Sequence, residues 1–252
     1  MSSKNRIEAK NLTKHFERKI ALSSLSFTIK QDELVALIGP SGAGKTTLLN
    51  SIAGLLPISG GDLLIDGQPL SAYKKGKRFA KKVGVIRQQF DLIGPLAAIH
   101  NVLAGKLSEW GTIKSLFSLL VPQEKELALR ALERVGLPDK AFEITSTLSG
   151  GEQQRVAMAR LLVQKPEVIL ADEPVASLDP ARADDILSML TKIVIEENQT
   201  LITSLHSVEY ARKYFTRIIS MKNGEIFFDL PTEQVTDDLL AELYQIKSGA
   251  TL

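Results

Sequence analysis

The sequence predicts an α/β fold, a mainly parallel sheet whose course is interrupted by an inserted helical segment. Three observations predict it. A short apolar run, "ELVALIG", enters a glycine-rich loop and then a helical pattern, "TTLLNSIAGLL". The final third alternates strand and helix patterns: "EVILAD", "PARADDILSMLTKIVIEEN", "TLITSLH", "SVEYARKYF" and "RIISMKNGEIFFD". Between these parts, residues 99–147 carry helical patterns only. Alternating strands and helices build parallel sheets, with ligands at the C-terminal ends of the strands.

Taken in order, the opening third reads as strands and turns. "LSFTIK" alternates in polarity, and "ELVALIG" has the continuous apolar character of a strand buried on both faces. "GDLLIDGQPL" reads as a short hairpin with Asp66-Gly67 as its turn. The lysine-rich "AYKKGKRFAKK" reads as a solvated helix face. "EKELALRALERVGLP" puts Ala128, Leu132 and Val135 on one helical face, with Gly136 as C-terminal cap and Pro138 as the stop. In "LSGGEQQRVAMARLLVQ", Ser149 and Glu152 have the spacing of a capping box. The division expected is an α/β core at residues 1–89 and 166–252, with a helical part at residues 90–165.

Composition narrows the function classes. The chain has 252 residues, 44% apolar and 24% charged, as expected of a globular chain with ample core. A formal net charge of +2 with no basic block gives no reason to expect nucleic acid. With no cysteine, disulfides and thiolate metal sites are excluded, which fits the cytosol. The polar start "MSSKNRIEAKN" carries no signal-like apolar region, and no run approaches a membrane span.

"GPSGAGKTT", residues 39–47, satisfies G-x-x-x-x-G-K-[ST] between a strand and a helix. The loop Gly39, Pro40, Ser41, Gly42, Ala43 and Gly44 would fold around the phosphates, its glycines letting the N–H groups from Gly42 to Thr46 point inward. Lys45 would meet the β- and γ-phosphates, Thr46 would ligate Mg²⁺, and Thr47 continues the helix. "VILADEP" ends an apolar strand in two carboxylates. Asp172 suits a magnesium ion through water, and Glu173 suits the water that attacks a phosphate. His206 ends the strand "TLITSLH" on the same sheet edge. In "SLDP", Asp179 reads as an N-cap with Pro180 as the first helical residue. Gly150 and Gly151 are poor first-turn residues, since glycine costs about 1 kcal/mol against alanine in a helix. They leave N–H groups bare at a positive dipole end, which makes a second anion site.

Together these motifs resemble the ATP-binding cassette (ABC) family across essentially the whole chain. The resemblance implies a P-loop ATPase core with an N-terminal antiparallel β subdomain and an inserted helical subdomain carrying the signature. It implies ATP and Mg²⁺ as ligands, and two cassettes packed head to tail as a homodimer. The signature residues Leu148, Ser149, Gly150, Gly151, Glu152 and Gln153 of one cassette would then close over the ATP of the other. By the same resemblance Phe16 stacks on adenine, where most members have tyrosine. Gln88 reaches magnesium and the attacking water, Glu173 is the catalytic carboxylate and His206 senses the γ-phosphate. Ser177, Leu178 and Asp179 form the cross-dimer D-loop.

Importers of this family place such a subunit on the cytoplasmic face of the cell membrane, against two permease subunits and, indirectly, a substrate-binding protein. The segment after Gln88, including Trp110 and Phe117, would line the permease groove or the core. "NVLAGKLSEWGTIKSLFSLLVPQEKELALRALERVGLPDKA", "ILADEPVASLDP" and "SLHSVEYARKYFTRII" resemble phosphonate-importer ATPases. "IRQQF" and "GGEQQ" depart from that subfamily's usual Phe-Gln-Gln-Phe and Gly-Gly-Gln-Gln-Gln. The expectation is therefore an ATPase driving uptake of phosphonate or a phosphite-like oxyanion. Other cargoes (phosphate, an amino acid, an exported lipoprotein) are the alternative within transport. A non-transport ABC ATPase on DNA or ribosomes is disfavoured by the single cassette and the lack of heptads. Intact Lys45, Asp172, Glu173 and His206 disfavour a scaffold without turnover.

Overall fold

A computed structural model describes residues 4–17, 19–73, 76–87, 89–110, 118, 123–176 and 178–244. Gln88, Phe117 and Ser177 lie outside the described residues. The chain divides into two compact units, residues 1–70 with 202–252, and residues 71–201.

The first unit opens with two long strands, β1 (Asn5–Phe16) and β2 (Lys19–Lys30), paired antiparallel from Asn5↔Lys30 to Phe16↔Lys19. Asn11 and Ser24 take left-handed φ values of 48° and 52° where the register shifts, and asparagine tolerates that region better than most residues. Every residue of β3 (Leu34–Ile38) is buried, as its unbroken apolar run requires. Helix α1 (Lys45–Ile52) follows. It stops short of "AGLL" because Gly54 turns left-handed at φ 65°. β4 (Gly60–Ile65) and β5 (Gln68–Pro69) form the expected hairpin. Asp66 and Gly67 both have positive φ, 50° and 74°, the type I′ geometry that matches strand twist. These strands form a sheet in the order β2-β1-β4-β5. Nη1 of buried Arg6 donates to both carboxylate oxygens of Asp66, at 2.8 and 2.9 Å, tying β1 to the hairpin turn.

The second unit contains α2 (Lys77–Ala80), β6 (Val83–Ile86), α3 (Ala98–Leu103), α4 (Lys125–Arg134), α5 (Gly150–Gln164), β7 (Val168–Asp172) and α6 (Pro180–Glu196). Among the described residues of the lysine-rich run, one helical turn follows Gly76, which has φ 138°. Ala128, Leu132 and Val135 are buried as their spacing predicts, and Gly136 caps α4 at φ 73°. β6 and β7 pair in parallel, from Val83↔Val168 to Ile86↔Ala171. Trp110 is core: it is 7% exposed, and its indole N–H donates to Glu124 at 3.1 Å. A buried polar network closes the loop before α3. Asn101 accepts from Ile93 N at 2.7 Å and donates to Ile93 O and to the Thr145 hydroxyl. Thr145 in turn donates to Leu96 O. Every polar atom of the Asn101 amide thus has a partner, the condition under which a buried network specifies one conformation.

The chain returns through β8 (Thr200–Ser204), which straddles the unit boundary, to α7 (Val208–Tyr214), β9 (Arg217–Lys222), β10 (Glu225–Pro231) and α8 (Asp237–Tyr244). In the first unit the strand order is β10-β9-β3-β8, with β3 and β9 parallel and β9 and β10 antiparallel. Arg217 anchors this sheet edge. It forks onto Asp229 at 2.7 and 2.7 Å and reaches Glu33 and Thr28 O at 2.9 Å each. Asp229, ahead of the desolvation that opposes it, holds the Arg217 guanidinium above its ordinary range. Among the described residues no helix is long and apolar enough to cross a membrane.

Candidate nucleotide site

In the first unit, β3 delivers its chain directly into the loop at residues 39–44. Three glycines shape that loop, at φ 142°, 78° and 106° for Gly39, Gly42 and Gly44. Two of them are also required by close packing. A Cβ on Gly39 would lie 2.1 Å from Met221 O, and one on Gly44 would lie 2.6 Å from Ala21 O. At Gly42 nothing lies within 4 Å, so there the left-handed backbone alone demands glycine. Lys45 is 5% exposed, and its ammonium donates to Gly39 O at 2.7 Å and Pro40 O at 3.3 Å. The loop thus carries its own cation at its centre, while Ser41, Gly42 and Thr46 stay exposed. Such a concave backbone with one buried ammonium fits a polyphosphate.

The same unit brings His206 to this end of the sheet. β8 stops at Ser204, and Leu205 N donates to Leu37 O at 2.9 Å. His206 is therefore in the exposed turn just past the strand, beside the end of β3. Phe16, at the tip of the β1–β2 ladder, is 44% exposed, with the Lys14 ammonium 5.0 Å from its ring centroid. The C-terminal helix contributes a residue that periodicity does not flag. The Gly39 backbone hydrogen-bonds the Tyr244 hydroxyl, while burial, the larger effect, pushes that phenol above its usual range.

The second unit brings the acidic strand end and the signature together. Asp172 is the last residue of β7, and Glu173 follows at φ 49°, left-handed without being glycine. That conformation costs on the order of 1 kcal/mol and marks functional turns. Asp179 caps α6 through Arg182 N at 3.1 Å, and Pro180 is its first residue, as the local pattern predicts; Leu178 lies in the same turn. Ser149 and Glu152 make both arms of the capping box on α5, at 3.4 and 2.8 Å. First the Ser149 backbone N–H, then its hydroxyl, hold the Glu152 carboxyl below its ordinary range. Gln153 turns back onto Leu148 O at 2.9 Å, with Leu148 buried. Among the described residues, a Cβ on Gly150 or on Gly151 would meet nothing within 4 Å beyond its own stretch of helix backbone. The fold itself does not need glycine at either position, so the bare N–H groups are open to an incoming group.

Two further side chains on α5 hold loops in this unit. Gln154 donates to Pro174 O, directly after Glu173. Arg160 donates to Phe90 O and Asp91 O at 2.9 and 2.8 Å, where both residues are left-handed at φ 57° and 47°. Burial pulls the Arg160 guanidinium below its ordinary range.

Comparison with known proteins decides the family. The ABC transporter family profile matches residues 22–176. The chain belongs to the ABC transporter family. Among relatives, this cassette is 43% identical over 244 residues to a phosphonates import ATP-binding protein of Nostoc sp., covering 94% of the chain and 91% of that protein. It is 43% identical over 253 residues to one from Pseudomonas aeruginosa, covering 98% and 91%. Of solved structures, a dimeric bacterial ABC transporter cassette shares 33% identity at a TM-score of 0.77, over 90% of this chain and 98% of that one. An ATP-binding cassette in its ADP conformation shares 25% identity at a TM-score of 0.82, over 95% and 98%. The ABC architecture thus accounts for both sheets of this cassette.

Proposed function

We propose that this cassette is the ATP-hydrolysing subunit of an importer of phosphonate or a phosphite-like oxyanion, working as a head-to-tail homodimer. The observation that carries the reading is the pair of half-sites in one chain. A complete phosphate loop is matched by a capped helix end whose glycines face open space. A second chain supplies the phosphate that those N–H groups lack. The closed two-fold pairing makes two composite sites.

In this reading Gly39, Pro40, Ser41, Gly42, Ala43, Gly44, Lys45, Thr46 and Thr47 hold the phosphates, and Phe16 offers its exposed face to the adenine. Leu148 to Gln153 form the half-site for the partner's nucleotide, with Ser177, Leu178 and Asp179 along the seam. By the family resemblance Thr46, Asp172 and Gln88 would hold Mg²⁺, to which each offers a hard oxygen donor. When bound there, the ion would supply charge neutralisation for the phosphoryl oxygens. Glu173 accepts the proton of the attacking water, and His206 holds the transferred phosphate in place. The functional division is a core at residues 1–89 and 166–252 and a helical lobe at residues 90–165.

The permease face lies on that lobe. Ile93, Phe142 and Ile144 are 55%, 62% and 49% exposed. The Ala97↔Ile144 bridge and the Ser146 N to Gly94 O bond hold the two loops side by side. Each of two permease subunits docks one helix there, which keeps the ATPase peripheral on the cytoplasmic face of the membrane. The names of the relatives support the cargo class. The deciding experiment assembles the chain with its permease in lipid and its binding protein. ATPase is then measured with 2-aminoethylphosphonate, methylphosphonate, phosphite and phosphate. Stimulation by the organophosphonates is expected; stimulation by phosphite alone reassigns the cargo, and none by any overturns it.

A further inference from the structure

Gln154 breaks the pattern of its helix. It is 1% exposed in a stretch of α5 whose neighbours Val156, Ala157, Met158 and Ala159 are buried apolar residues. Its amide nitrogen donates to Pro174 O, and its amide oxygen is buried with no hydrogen-bond partner among the described residues. A buried acceptor without a partner destabilises the fold, so packing does not explain a glutamine there. A methionine of similar length would fill the same space without that cost, at the expense of the donor to Pro174 O.

What the amide holds explains it. Pro174 is the residue after Glu173, in the turn where Glu173 is left-handed at φ 49°. Gln154 is the fifth residue of the helix that begins at Gly150. One side chain therefore ties the signature end to the turn that aims the carboxylate, within one compact unit. In the composite-site reading, on which this step rests, the signature serves the partner's ATP and Glu173 serves the chain's own. We infer that Gln154 is a positioning residue that links the two ATP sites. Closing the signature on one nucleotide shifts the start of α5, and the Gln154–Pro174 bond carries that shift to Glu173 at the other.

Gln154→Met in the assembled transporter tests this. Two coupled sites give a wild-type Hill coefficient for ATP between about 1 and 2. The variant is expected to lower that coefficient to about 1. It should lower kcat roughly 10- to 100-fold, the effect of a misplaced reacting group. ATP affinity of the isolated chain should stay within about twofold, because no phosphate contact is lost. Its melting temperature should stay within a few degrees of wild type, because the unpartnered Gln154 oxygen is removed while Pro174 O loses its donor. An unchanged Hill coefficient, a wild-type coefficient of about 1, or a lowered melting temperature with unchanged kcat overturns the inference. The Glu173→Gln chain with ATP, on gel filtration, separates the two readings. A stable dimer there with unchanged cooperativity in Gln154→Met sinks the coupling alone. A monomer there sinks the composite-site reading and the coupling with it.

Discussion

A methyl group at Gly151 meets no described atom within 4 Å beyond its own stretch of helix backbone, so Gly151→Ala separates ligand approach from folding. The variant should melt at or above the wild-type temperature, since alanine is favoured over glycine in a helix by up to about 1 kcal/mol. Its ATPase in the assembled transporter should nevertheless fall at least about tenfold, because the methyl group keeps the phosphate from reaching N–H groups that alanine still carries. Equal activity would mean that nothing approaches those N–H groups. Lys45 offers a different test. Its buried ammonium already satisfies two loop carbonyls, so Lys45→Ala removes both a loop strut and a phosphate partner. Nucleotide binding, followed by a fluorescent ATP analogue, should weaken at least about tenfold.

Two elements carry predictions of their own. The β4–β5 hairpin is pinned by Asp66 to Arg6, whose side chains are 10% and 8% exposed. Asp66→Ala leaves a buried guanidinium without its counter-charge and should cost about 3 kcal/mol in urea unfolding; a loss below about 1 kcal/mol would class the pair with surface bridges. The N-terminus of α5 responds to pH. The folded-state carboxyl of Glu152 titrates below its ordinary value. Its stabilising effect is therefore complete above about pH 4.3, the unfolded value, and fades as pH falls through the lower folded value. Glu152→Gln should flatten the acid limb of the melting-temperature profile and leave the capping box in place. Hairpin, box and N-cap were all legible from sequence, because each is decided within four residues. The bonds of Gln154 and Arg160 were not. They join α5 to backbone carbonyls 20 and 70 residues away, and a carbonyl has no residue identity to read. In "KKGKR", the described Lys77 and Arg78 lie exposed on a helical turn, as a solvated face should.

For the whole molecule, the Glu173→Gln chain should bind ATP, hydrolyse it at least about 100-fold more slowly, and run as a dimer on gel filtration. Hydrolysis at the wild-type rate would remove Glu173 from its proposed role. The family and the phosphate loop were readable because a nucleotide imposes fixed residues at fixed spacings, from Gly39 to Thr46. The Tyr244 hydroxyl bond to Gly39 was not, since a tyrosine near the end of a helix carries no spacing rule.

The capping box has a kinetic consequence. Ser149 is already extended at φ −62° and ψ 159°, and both arms of the box are made within the single chain. The half-site is thus preorganised. At this helix end, in the proposed dimer, the cap is made before a partner arrives, and little conformational entropy of these residues would be lost at closure. The encounter should behave as a rigid docking, with an association rate set by diffusion, orientation and charge. In the proposed dimer Glu152 would face the partner's phosphate as a like charge, so moderate salt should speed closure rather than slow it.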